Sequence, residues 1–136
     1  MNVSRDYAAA VAEGEALVRL DPAWSVSYGE VGEVHRHFGA LDAAAEYFQA
    51  AARHGPPYLG HHLFCAAQCH EATSNLDEAM RIYHQLLVHS PENPSVIVAG
   101  ARLARRTSDP RQSEFMHRID ALPKPLSQRH LEFLES

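Results

Sequence analysis

Pro22, Pro56 and Pro91 lie 34 and 35 residues apart. The residues ahead of the last two repeat. Tyr28-x2-Val31-Gly32-x2-His35 and then Ala44-x3-Phe48 precede Pro56. Leu63-x2-Ala66-Ala67-x2-His70 and then Ala79-x3-Tyr83 precede Pro91, each residue 35 positions after its counterpart. A period of this length is the mark of stacked helical hairpins. One such hairpin cannot bury its apolar face alone, so the chain must fold by stacking neighbours.

The local pattern agrees. Tyr7, Ala10, Val11, Gly14, Leu17 and Val18 recur with a helical period over residues 4–19. Leu20-Asp21-Pro22 ends that helix, because the residue before a proline avoids the α region. Further helices are predicted over 23–37, 41–54, 59–73, 76–89, 95–106 and 110–121, with a last short one over 127–135. Gly39 suits a left-handed helix end. Asp109 suits an N-cap with Pro110 in the first turn behind it. No stretch alternates with period two, so no sheet is expected. The loops are short, which makes consecutive helices antiparallel. The expectation is one all-α domain of about seven to eight helices.

Composition narrows the function. The chain has 136 residues, 46% apolar and 21% charged, ordinary for a globular protein with a real core. No run of 18 apolar residues occurs, so no membrane span is expected. The N-terminus lacks a basic head followed by an apolar stretch, so it does not read as a signal peptide, and a cytoplasmic location is the default expectation. Net charge is -5, with 12 acids and 5 bases in residues 1–92 and 5 acids and 7 bases in 93–136. That balance argues against nucleic acid, whose phosphates require a broad basic surface. Cys65 and Cys69, one helical turn apart, read as reduced thiols.

The repeated positions resemble the tetratricopeptide repeat. The resemblance implies a right-handed superhelical solenoid of α-hairpins. Residues 1–22 form a half repeat, 24–57 and 59–92 full repeats, 94–122 a degenerate repeat, and 126–136 a capping helix. Gly32, Ala44, Ala67 and Ala79 would sit where hairpin helices approach closely, and Phe48 and Tyr83 where a ring fills the gap to the next hairpin. His35 and His70 stand where the family has a tyrosine and are expected as packed rings with one nitrogen bonded.

By that resemblance the concave groove is lined by Val26, Gly29, Glu30, Glu33, Arg36 and His37, then His61, Phe64, Cys65, Gln68, Glu71 and Ala72, then Val98, Arg102, Arg105 and Arg106. The residues expected to contact a partner are Glu30, Glu33, Arg36, His37, His61, Phe64, Gln68, Arg102, Arg105 and Arg106. Acidic and aromatic at one end and basic at the other, such a groove fits a protein or peptide with an acidic segment. The carboxylate clamp of chaperone-tail binders is absent: its places hold Gly29, Glu33, Cys65, Ser95 and Ala99.

The leading expectation is a protein-interaction adaptor, with no catalytic residue, cofactor or metal assigned. Gly-rich phosphate loops, nucleophile elbows and His-Glu-x-x-His motifs are absent. An alternative is the N-terminal regulatory or substrate-presenting module of a larger enzyme such as a transferase. A third reading is a metal module. His61, Cys65 and Cys69 fall on one stripe with His62 and His70 beside it, but this is a partial ligand set on a single helix. The ten histidines would carry net charge from -5 to about +5 if all were protonated. Exposed terminal faces also admit self-association.

Overall fold

The computed structural model describes residues 3–136, and the described residues form eight helices and no strand. They divide after Asn75 into two compact units. The first holds α1 (Val3–Leu20), α2 (Ser25–His37), α3 (Leu41–Arg53) and α4 (Leu59–Ala72), each packed on the next. The second holds α5 (Leu76–His89), α6 (Pro94–Thr107), α7 (Gln112–Asp120) and α8 (Gln128–Glu135). In it α6 is the hub, packed against α5, α7 and α8. No described helix is long and apolar enough to cross a membrane.

In the first unit small residues set the helix spacing. A Cβ built on Gly14 would lie 2.6 Å from Val31 Cγ2, and one on Gly32 would lie 3.0 Å from the Phe48 ring. Ala44, Ala45, Phe48 and Ala51 bury one face of α3. Phe48 is wholly buried, a burial worth about 1.5–3 kcal/mol. His35 is packed as expected: Tyr7 Oη bonds its Nδ1, and its ring stacks on Tyr47 at 5.2 Å. His70 uses both nitrogens, Nε2 to Gln49 Oε1 at 3.1 Å and Nδ1 to Asn75 Nδ2 at 3.2 Å. The amide can only donate to Nδ1, so the ring proton belongs on Nε2.

In the second unit Ile82, Tyr83, Leu86, Ile97, Val98 and Phe115 are all but inaccessible. Gly100 has the role Gly32 has in the first unit, since a Cβ there would lie 2.2 Å from the Phe115 ring. Asn93 caps α6, its side chain accepting from Ser95 N and Val96 N ahead of Pro94 in the first turn. Asp109 behaves otherwise than predicted. Its Oδ1 accepts from Arg111 N at 2.8 Å and from the Arg111 guanidinium, forming a turn, and α7 starts only at Gln112. The carboxylate satisfies a donor two residues on, which delays the helix instead of opening it.

The helix ends repeat as the sequence does. Gly39, Ser74 and Ser108 all have positive φ, at 82°, 64° and 54°. The next residue's amide in each case reaches back to the last turn: Ala40 N to His35 O, Asn75 N to His70 O and Asp109 N to Ala104 O, each 2.8 Å. This is the left-handed helix stop of the Schellman type. It occurs three times, at positions 35 and then 34 residues apart.

Candidate functional site

On α2, Val26, Gly29, Glu30 and Glu33 recur at three- and four-residue steps and so share one face. On the way into α4, Tyr58, His61 and His62 do the same. These seven residues and Phe48 from α3 line a cleft of about 380 Å³ in the first unit. The cleft depends on Gly29: a Cβ there would lie 2.4 Å from His62 Nε2, so any larger residue would expel the imidazole. His62 is buried and its Nδ1 has no protein partner. Burial, helped by the neighbouring His61, lowers its pKa, so the ring is neutral at neutral pH.

Tyr58 stands at the mouth. It precedes α4 with φ 67°, a left-handed conformation uncommon for a bulky residue, and it is 64% exposed. Its ring meets His62 edge-on at 6.3 Å. A strained, exposed aromatic residue is held there by its surroundings, at a cost of about 1–3 kcal/mol.

The wall is electrostatic. Arg36 NH2 donates to both carboxylate oxygens of Glu33 at 2.7 Å. Its NH1 lies 3.7 Å from Cys65 Sγ, and its guanidinium lies 5.5 Å from the centre of the Phe48 ring. The pair is partly exposed, with side chains at 37% and 46%, so it contributes only about 0.2–1 kcal/mol and exchanges readily. Cys65 Sγ is also 3.5 Å from His61 Nε2. Burial pushes the Cys65 thiol up to about 11, against a smaller opposing pull from Arg36. It is therefore protonated at neutral pH.

Of the residues predicted to contact a partner, Glu30, Glu33 and His61 line the cleft and Arg36 braces it. His37 is exposed against Phe38, Gln68 is exposed and Phe64 half-buried on α4, all outside the lining. Arg102, Arg105 and Arg106 lie on α6, in the second unit. There Arg102 Nε donates to Ser136 Oγ at 2.9 Å, and its guanidinium lies 4.8 Å from the Phe133 ring centre. Arg105 NH2 donates to Leu134 O at 3.0 Å, while Arg106 is exposed. The chain's own last helix thus occupies much of the basic face. Val98, also expected in the groove, is fully buried.

Sequence reasoning did not select Tyr58, Phe48 or His62 as cleft residues. For Tyr58 a signal existed: an aromatic residue directly after Pro56-Pro57 and before a helix cannot easily turn inward.

No protein-family model matches the chain, and no curated protein matches it. Solved structures do match, two of them as follows. "Crystal structure of MamA" is 14% identical, with a TM-score of 0.69 over 92% of this chain and 67% of that one. "Crystal structure of MamA protein" is 15% identical, also at 0.69, over 95% and 64%. The chain spans about two-thirds of the length of each. At this identity the likeness is one of fold: an all-α, tetratricopeptide-like arrangement of helical hairpins.

Proposed function

We propose that the protein is an interaction module that receives a peptide segment of a partner over the α2–α4 face, with an arginine or lysine side chain entering the cleft beside Glu30 and Glu33. The tetratricopeptide-like fold supports a binding role. The observation that carries the proposal is chemical: this wall already holds a guanidinium, the chain's own Arg36, between a carboxylate and an aromatic ring. Glu30, exposed at the same cleft, supplies a second carboxylate. An aliphatic stem would lie along Val26 and Tyr58, and the cationic head would meet carboxylates and ring faces. An acidic segment at α6, the partner chemistry read from the arginine cluster, would have to displace α8 from Arg102 and Arg105.

The test is a screen of immobilised peptides of matched length rich in Arg and Lys or in Asp and Glu, followed by fluorescence anisotropy on the best binder. Basic peptides should be selected. Glu30→Lys with Glu33→Lys should weaken binding by about tenfold or more, about 1.4 kcal/mol, with helicity by circular dichroism unchanged. Arg102→Glu with Arg106→Glu should leave that binding in place. Selection of acidic peptides, or loss of binding only in the α6 double variant, would return the contact to α6 and overturn the proposal.

A further inference from the structure

We propose that Glu33, His61 and Cys65 form a three-ligand site for a zinc-class divalent ion, joining α2 to α4. This goes beyond the peptide reading and does not depend on it. Read from the sequence, the ligand stripe was His61, Cys65 and Cys69 on one helix. The structure exchanges one member. Cys69 is 2% exposed, inside the core, and Glu33 arrives from the neighbouring helix instead. One donor atom from each of Glu33, His61 and Cys65 lies within 4.8 Å of the other two.

The spacing suits a metal. Zinc bonds of about 2.0–2.3 Å in a tetrahedron put ligand atoms about 3.3–3.8 Å apart. The 3.5 Å between Cys65 Sγ and His61 Nε2 is already such an edge. The carboxylate lies within 4.8 Å and so has to move in by about 1 Å at most, which an exposed Glu side chain on a helix surface can do by a rotamer adjustment. Thiolate, imidazole and carboxylate together are the donor set of zinc, and three protein ligands leave a fourth position for water or an incoming side chain. Glu33 and His61 both line the cleft, so that position opens toward it.

Charge also balances. The groups facing Cys65 are Arg36 and Glu33 from α2 and His61 and Cys69 from α4. Arg36 now supplies the only positive charge among them. On metal binding the Cys65 S–H gives its proton to solvent and its sulfur lone pair to the ion. His61 gives the Nε2 lone pair with its proton on Nδ1. Glu33 trades its bond to Arg36 for one to the metal, leaving the guanidinium to pair with the second carboxylate oxygen. Two anionic ligands then neutralise one divalent cation.

The experiment is a titration of the full chain with Co²⁺, followed by Zn²⁺ competition, and it uses no peptide. The wild type should develop a thiolate-to-cobalt charge-transfer band at one equivalent, and Zn²⁺ should erase it. The band should persist in Cys69→Ser and vanish in Cys65→Ser. Cys65 is buried, so Glu33→Gln and His61→Ala, both at exposed side chains, carry the decision independently of folding. Each should weaken Co²⁺ binding by at least the tenfold or so that a lost outer-shell partner costs. Because the buried thiol must lose its proton, affinity should rise about tenfold per pH unit from about pH 7 to 9. The inference is overturned by any of three results: no band, a band that survives Cys65→Ser, or unchanged affinity in Glu33→Gln.

Discussion

Tyr58 combines backbone strain with exposure at the mouth of the cleft. Its left-handed φ of 67° would suit glycine, yet the position carries a large ring 64% exposed to solvent. Tyr58→Gly removes the backbone strain and the side chain together. Thermal melting should therefore show equal or higher stability, by up to about 1–2 kcal/mol. Anisotropy with a basic peptide should show weaker binding, because the aromatic wall of the cleft is gone. A variant both less stable and fully competent would mean that the ring serves packing alone. In residue identities only the place of Tyr58 directly after Pro56-Pro57 hinted at this. The expected contacts came from the family resemblance, which names positions on one face of α2 but cannot say that Phe48 or His62 reaches it from behind. His62 reaches it because Gly29 leaves room, and a glycine inside a helix reports nothing about which side chain fills its void.

At the scale of helices, the ends carry the repeat more faithfully than the sequence between them. Gly39, Ser74 and Ser108 adopt the same left-handed stop with the same back-reaching amide. Only the first uses glycine. Gly39→Ala should cost about 1 kcal/mol, while Ser74→Gly and Ser108→Gly should each gain about 0.5–1 kcal/mol, read as shifts in the denaturant midpoint. Gly39 was recognisable because glycine is the residue this conformation favours. Ser74 and Ser108 were not, because serine is rare there and only the backbone geometry reveals it. Helix starts were less legible. Asp109 has the identity of a cap, and its carboxylate does accept a backbone amide, but the competing bond to the Arg111 side chain turns the segment into a separate turn.

Across the whole molecule, charge is divided more sharply than the sequence halves suggested. Up to Asn75, where the first unit ends, the chain has nine acidic and four basic residues; beyond it, eight of each. The entire net charge of -5 therefore belongs to the first unit, which also holds the cleft with Glu30 and Glu33. Association of a basic peptide should be steered by that field. Its on-rate in stopped flow should fall as salt rises from about 0.1 M to 1 M, where the screening length shrinks from about 10 Å to 3 Å. A salt-independent rate would mean that the anchor is apolar and the carboxylates are bystanders. In the second unit the acids and bases cancel, and Arg102 and Arg105 are engaged by α8. That loss of a free basic face could not be seen from a list of arginines.

The amino-acid order alone determined the helical class and the placement of nearly every helix. These follow from local periodicity and from prolines, which act within a few residues. Only tertiary structure decided which atoms meet. Glu33 approaches Cys65, Tyr58 and His62 enclose the cleft, and α8 covers α6, because each contact joins separate helices. Such contacts depend on the packing distance between helices, which glycines and rings set jointly and no single stretch of sequence encodes.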